Sequence, residues 1–356
     1  LRRGDERVAD LPPPQRGAAV WHADDGVQVD MLSAAEIVEL EAAAAPYVAR
    51  GEAALDELAH LSPERFPLPT LGPRIVALRR ELLTGRGVVL LRGLPVGRYG
   101  MLEAATIFLG LGAHLGSARP QNAAGHLLGH VCDLGRTSAD PSVRIYQTRE
   151  RQTFHTDSCD VVGLLCLREA RTGGDSLLVS AGAIYNEMLR STPELLARLL
   201  RPMAQDRRGE VPAGMAPFFM MPVFSWFSGY LSVFYQRQYI DSAQRFDDAP
   251  RLTPDDIAAL DRFDALANDP ALHLRMRLVP GDIQFVHNHS LLHDRTAFED
   301  WPEPSRRRHL LRLWLACPED RPLPPAFAAR YGSVTVGDRG GVVVPGARSH
   351  VSLMPA

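Results

Sequence analysis

The chain has 356 residues, long for one domain and short for three. It is 46% hydrophobic and 23% charged, which allows a substantial core and excludes a disordered chain. Its 39 basic residues are all arginine, which excludes lysine chemistry, and a formal net charge of −3 gives no sign of a nucleic-acid or membrane partner.

The first thirty residues read as irregular. Residues 33–60 are rich in Ala, Leu and Glu and predict helix, interrupted near Pro46 and Gly51. A second helix is expected over 73–84, stopped by Gly85 and Gly87, then a short strand over 87–94 and helix again at 100–109. From 143 onward, short apolar runs recur between turns, at 143–147, 161–167, 176–181, 218–224, 230–235, 272–279, 282–287 and 309–316. Helices interrupt them at 182–200 and 253–267. Many short strands at irregular spacing predict a barrel or jelly roll, not a βα alternation. The expected fold is mainly β with helices (α+β). Residues 71–356 form the large β domain, and 1–70 form an N-terminal arm and helical extension packed on it.

Four cysteines without a CxxC pair argue against a disulfide framework or a thiolate zinc site. No run of 18 apolar residues occurs, and the opening residues lack the apolar core of a signal peptide, so a cytoplasmic location is expected.

The chemistry centres on histidine. His126 and His130 have the spacing of a helical metal pair, but no Glu follows His126, and Gly125 and Gly129 argue against that helix. Residues 110–116 (GLGAHLG) follow a helix rather than a strand and have the wrong spacing for a dinucleotide loop. Phe154-His155-Thr156-Asp157 is more informative. On a strand, His155 and Asp157 share one face and can chelate one metal ion. A further histidine would complete a 2-His-1-carboxylate triad with open positions, suited to non-haem iron. HxD alone is weak, because His22-Ala23-Asp24 also matches. Residues 280–295 offer His287, His289 and His293 as the missing ligand. Farther on, Arg308, Leu310, Arg312 and Trp314 would share a strand face. Two arginines on an apolar strand need anionic partners, either a dicarboxylate co-substrate or internal carboxylates.

The segments FHTDSCDVVGLLCLREARTGGDSLLVSA, PGDIQFVHNHSLLHDRTAFED and RRHLLRLWLA together resemble the taurine dioxygenase-like (TauD/TfdA) family of Fe(II)- and 2-oxoglutarate-dependent oxygenases, over roughly residues 85–335. The resemblance implies a double-stranded β-helix, or jelly roll. It implies Fe(II) on His155, Asp157 and His293, with His289 left open as the alternative distal ligand. It implies 2-oxoglutarate held by Ser176, Arg308 and Arg312, with the roles of the two arginines interchangeable. O2 is the oxidant, and succinate and CO2 are released as a substrate C–H bond is oxidised, most simply to a hydroxyl. Asp157 matters here, because related halogenases lack that carboxylate. The expected partner is a small organic molecule; an anionic group on it, and a homo-oligomer, are both compatible with the sequence. Gln147, Phe154, Asp160, Arg237 and Tyr239 are the candidate substrate residues. The alternatives are a metal-dependent hydrolase or cupin-type enzyme without 2-oxoglutarate, or a jelly-roll binding protein. The first would not need the Ser176/Arg308 pair, and retention of Asp157 does not favour the second.

Overall fold

A computed structural model describes residues 11–137, 143–211, 214–344 and 346–355; the first ten residues of the expected arm lie outside the described residues. In chain order, the strands that frame the site are β1 (Val29–Met31), β2 (Val88–Arg92), β3 (Ser117–Ala118), β4 (Leu128–Val131), β5 (Gln152–His155), β6 (Val161–Arg168), β7 (Ser176–Ser180), β8 (His273–Met276), β9 (Ile283–His287), β10 (Leu291–Arg295) and β11 (His309–Ala316). A seven-stranded sheet has the order β1-β2-β9-β6-β11-β3, with β4 also on β11. A four-stranded sheet has the order β8-β7-β10-β5. Every pairing within these two sheets is antiparallel except β1 with β2. The sheets do not close into one barrel. Val88, Val162, Val286 and Trp314 of the first share a buried cluster with Leu178, Leu274 and Leu291 of the second, as in a jelly-roll sandwich.

β11 is buried along its whole length because both its faces are covered. Leu311, Leu313 and Leu315 pack under helices, against Ile107, Phe108 and Leu111 of the helix Met101–Leu115. Leu40, Ala44 and Tyr47 of the helix Ala34–Val48 join the same cluster. That helix starts where the sequence supplies a capping box: Ser33 accepts from Glu36 N, while the Glu36 carboxylate accepts from Ser33 N. The alternate β11 residues, Leu310, Arg312 and Trp314, face the interior between the sheets, where the site lies.

Two expectations are corrected. Residues 143–147 are not a strand: Ile145–Gln147 form a 3-10 turn, in which the Gln147 side chain accepts from Arg144 N and replaces a ladder partner. The helix expected at 182–200 is two helices, Ala181–Ser191 and Pro193–Leu199, because Pro193 cannot donate to the preceding turn. HLLGH is not a helix, as its glycines indicate: its second half falls on β4, so no helical face presents His126 and His130 together. His130 instead bonds His309 at 2.9 Å.

Candidate active site

β5 carries His155 at its end, and Asp157 follows as the chain leaves the sheet. β10 brings His293 opposite His155 in the ladder. The donor atoms of His155, Asp157 and His293 all lie within 4.8 Å of one another. His155 Nε2 is 3.8 Å and His293 Nε2 3.7 Å from the Asp157 carboxylate oxygens. His155 Nδ1 faces Thr153 O at 2.8 Å, which fixes the tautomer with Nε2 as the electron-pair donor. Burial lowers the pKa of His155, and burial with the neighbouring His155 pushes His293 down to about 3, so both imidazoles are neutral, the form that binds a metal. Burial alone would raise the pKa of Asp157; Arg312, the two histidines and the Trp314 N–H hold it below the usual carboxylate range. Trp314 Nε1 donates to Asp157 Oδ2 at 2.8 Å, and Asn288 Oδ1 accepts from Asp157 N at 3.1 Å.

Behind this triad lies a chamber of about 40 Å³, lined by His155, His293, Ser176, Arg308, Arg312, Arg295, Gln152, Tyr146, Asp294 and apolar side chains. Arg308 is buried there, with Nη1 lacking any hydrogen-bond partner and no carboxylate in ion-pair contact with its guanidinium among the described residues. Burial pushes its pKa down to about 10. The glycine pair in TGGDS makes room for it: Gly174 has φ +75°, and a Cβ there would sit 2.8 Å from Arg308 Nε. Ser176 Oγ donates to Gln284 Oε1 at 3.1 Å. Arg312 is differently occupied. It stands 3.6 Å from Asp157, donates from Nε to Gln121 at 2.7 Å and lies over the rings of Tyr146 and Trp314.

A wider cavity of about 490 Å³ opens on the other side of Asp157. Arg312 and Trp314 border it, and Arg144, Arg208, Arg330, Glu210 and Tyr239 line its wall. Glu210 is shared by two guanidiniums, Arg144 at 2.6 Å and Arg330 at 3.5 Å. Arg330 Nε also donates to Ser158 Oγ at 2.8 Å, next to Asp157 in the chain.

Of the candidate substrate residues, the structure brings only Tyr239 to this cavity wall. Phe154 alternates to the opposite face from His155 and packs against His273 in the core. Gln147 caps its own turn. Arg237 points to Asp241, Asp261 and Asp264, all within 3.0 Å, which saturates its charge. Asp160 is fully buried and accepts from His289 Nε2 at 2.8 Å, Arg339 Nε at 2.7 Å and Cys317 N at 3.0 Å.

That last group belongs to a second His/Asp cluster, His287, His289 and Asp320. Its cation is already present. Arg339, fully buried, bridges Asp160 at 2.7 Å and Asp320 at 3.0 Å, where a metal would have to bind. Burial pushes His287 down to about 4, so it serves as a neutral donor to Asp320. The network ties the loop after Asp157 to the segment around 339–341, where Gly341 N donates to Ser158 O at 2.7 Å. Removing the bridge leaves two buried carboxylates without their shared countercharge. Arg339→Met is therefore expected to cost about 3–5 kcal/mol of unfolding free energy. Denaturant titration checks this, and a loss below about 1 kcal/mol would show that the network is not held by its charge.

Sequence reasoning missed Arg144, Glu210, Arg295, Arg330 and Arg339. For Arg295 a signal existed, since it stands two residues after His293 on a strand. The others come from loops and a short C-terminal helix, where no periodicity marks them.

These features fit a non-haem iron oxygenase: two neutral imidazoles and a carboxylate converge on a jelly roll, beside a buried guanidinium that has no carboxylate partner among the described residues. Comparison with known proteins agrees. Residues 54–314 match the family described as taurine catabolism dioxygenase TauD, TfdA family. The chain is 31% identical over 342 residues to FR-33289 synthase of Streptomyces rubellomurinus, covering 90% of this chain and 96% of that one. It is 31% identical over 291 residues to the taurine hydroxylase-like protein SAT17 of Stachybotrys chartarum, covering 79% and 73%. Among solved structures, the non-haem iron oxygenase OrfP in complex with Fe and alpha-ketoglutaric acid superposes with TM-score 0.59 at 15% identity, covering 81% of this chain and 94% of that one. The chain belongs to the TauD/TfdA family and is an Fe(II)- and 2-oxoglutarate-dependent dioxygenase, an oxidoreductase that hydroxylates a small molecule. Among the described residues, no helix is long and apolar enough to cross a membrane.

Proposed function

We propose that His155, Asp157 and His293 hold Fe(II), that Arg308 and Ser176 hold the distal carboxylate of 2-oxoglutarate, and that the substrate carries an anionic group received by the arginine-lined cavity. The observation that supports this most is Arg308, a buried guanidinium with no carboxylate partner among the described residues, which faces the chamber behind the triad. A hydrolase or cupin-type enzyme would leave that charge uncompensated, whereas a dicarboxylate neutralises it. Bound together, Fe(II) and 2-oxoglutarate supply the oxidation of a C–H bond by O2, with succinate and CO2 released. The chain's own part is positional. Thr153 O orients His155 through its Nδ1–H, while Gln152 Nε2, 2.8 Å from the His155 Nε2 lone pair, would give that lone pair up to the metal. Trp314 and Arg312 orient Asp157.

The anionic substrate follows from charge. One Glu210 serves both Arg144 and Arg330, so this wall remains cationic even with its internal pair formed. The Tyr239 hydroxyl accepts from Arg144 and stands ready as a polar contact. Four free, buried cysteines and the lack of a membrane-crossing helix among the described residues are consistent with a cytoplasmic location. Residues 11–70 share the core of the domain they cover, which favours treating 1–70 as an extension of the domain 71–356. The test is succinate release measured against matched pairs of acids and their neutral esters or amides. Only the acids should raise turnover, and Arg330→Met should raise their KM about tenfold or more. Equal stimulation by the neutral partners would contradict the anionic reading.

A further inference from the structure

We propose that Arg295 is a specificity-determining residue for the co-substrate, supplying beside Arg308 a second positive charge to the distal carboxylate of 2-oxoglutarate. The inference rests on the assignment of Arg308 to that carboxylate. Arg295 ends β10 two residues after His293, so strand alternation sends both side chains to the cavity face. It stands directly across the ladder from Ser176 of β7, a pairing that brings Cβ atoms to about 5 Å. It lines the same chamber as His155, His293, Ser176 and Arg308.

Its hydrogen bonds do not cancel its charge. Nη1 donates to Thr148 O at 3.0 Å and Nη2 to Glu150 O, both neutral carbonyls, and Nε has no partner among the described residues. The adjacent carboxylate, Asp294, is held by Arg151 at 2.6 Å. Arg295 and Arg308 flank one ring, with guanidinium carbons 4.9 and 5.0 Å from the Phe298 centroid. Two like charges around one buried phenyl ring repel each other, and neither has an ion-pair partner among the described residues, since Asp294, which also lines the chamber, is taken by Arg151; the arrangement is costly until an anion arrives. A 2-oxo monoacid spends its single carboxylate at the metal and leaves the pair unneutralised. A 2-oxo diacid brings a second carboxylate to this end. The arginine pair therefore selects for the diacid.

The experiment uses the full chain loaded with Mn(II) without oxygen, and calorimetric titration with 2-oxoglutarate and with 2-oxobutyrate, which keeps the chelating end and lacks the distal carboxylate. Arg295→Met is expected to weaken 2-oxoglutarate by about tenfold to a hundredfold and to leave 2-oxobutyrate within about twofold. Arg295→Lys keeps the charge and loses the carbonyl fork, so it should keep most of the preference, and it carries the test if the Met variant does not fold. Parallel losses for both ligands, an unchanged 2-oxoglutarate affinity in Arg295→Met, or a collapsed preference in Arg295→Lys would overturn the proposal. Arg308→Met separates the two assignments. If it abolishes the preference while Arg295→Met retains it, only Arg295 is misassigned; if Arg308→Met retains the preference, the reading of Arg308 fails as well.

Discussion

Arg308→Met is expected to weaken 2-oxoglutarate binding by at least about a hundredfold while leaving the ligand-free protein as stable as before, or more so. The two halves have one cause. Without ligand, the guanidinium is buried, has no carboxylate partner among the described residues and has a pKa pushed down to about 10. A depressed pKa on a basic group means that its charged form is disfavoured in the folded state. At pH 7 that charge costs stability, on the order of 3 kcal/mol. The cost fades only as pH rises through the folded value. Methionine removes the charge and keeps much of the length, so the empty site loses a penalty. The bound site loses its main anion partner. Titration with 2-oxoglutarate and thermal melting of ligand-free protein check the two halves. A variant that binds normally, or that is strongly destabilised without ligand, would contradict the assignment. A purely structural arginine would predict the second of these.

The second large effect concerns the distal ligand. His293→Ala and Asp157→Ala are each expected to lower Fe(II) affinity by more than about a hundredfold and leave the fold intact, since each residue faces a cavity. His289→Ala should do the reverse. Its Nε2 donates to Asp160 inside the Arg339 network, so its loss should cost about 1–3 kcal/mol of stability and leave iron content unchanged. Metal content after anaerobic loading, measured beside denaturant titration, separates the classes. Iron lost from His289→Ala and retained in His293→Ala would exchange their roles.

Most of the site geometry was legible because strands have a period of two. That period predicts the shared face of Leu310, Arg312 and Trp314, whereas Asp157 reaches the side of His155 from two residues past the end of β5, off the strand expected for it from the sequence. The same rule argues against Phe154, which alternates to the core, yet proximity in sequence made it a substrate candidate. Asp160 was misread for a related reason. Its counterion, Arg339, comes from 179 residues away, and nothing local distinguishes a carboxylate aimed at a ligand from one aimed at a buried arginine. Arg144, Glu210 and Arg330 are hidden in the same way: they converge from three separate segments. Short-range pattern also failed at 143–147, where a Val-Arg-Ile-Tyr run looks extended and a glutamine side chain turns it. The extents of β6, β9 and β11 were closely anticipated, because strands buried on both faces are written as continuous apolar runs.

The central claim is one site that chelates iron and 2-oxoglutarate together. Its most direct test is visible absorption of the protein under anaerobic conditions, as Fe(II) and then 2-oxoglutarate are added. A weak charge-transfer band should appear with both present in the wild-type chain. It should be absent in Asp157→Ala and His293→Ala, and in Arg308→Met it should need far more 2-oxoglutarate. Iron binding without any band on addition of 2-oxoglutarate would contradict the account and favour a metal site that works without that co-substrate.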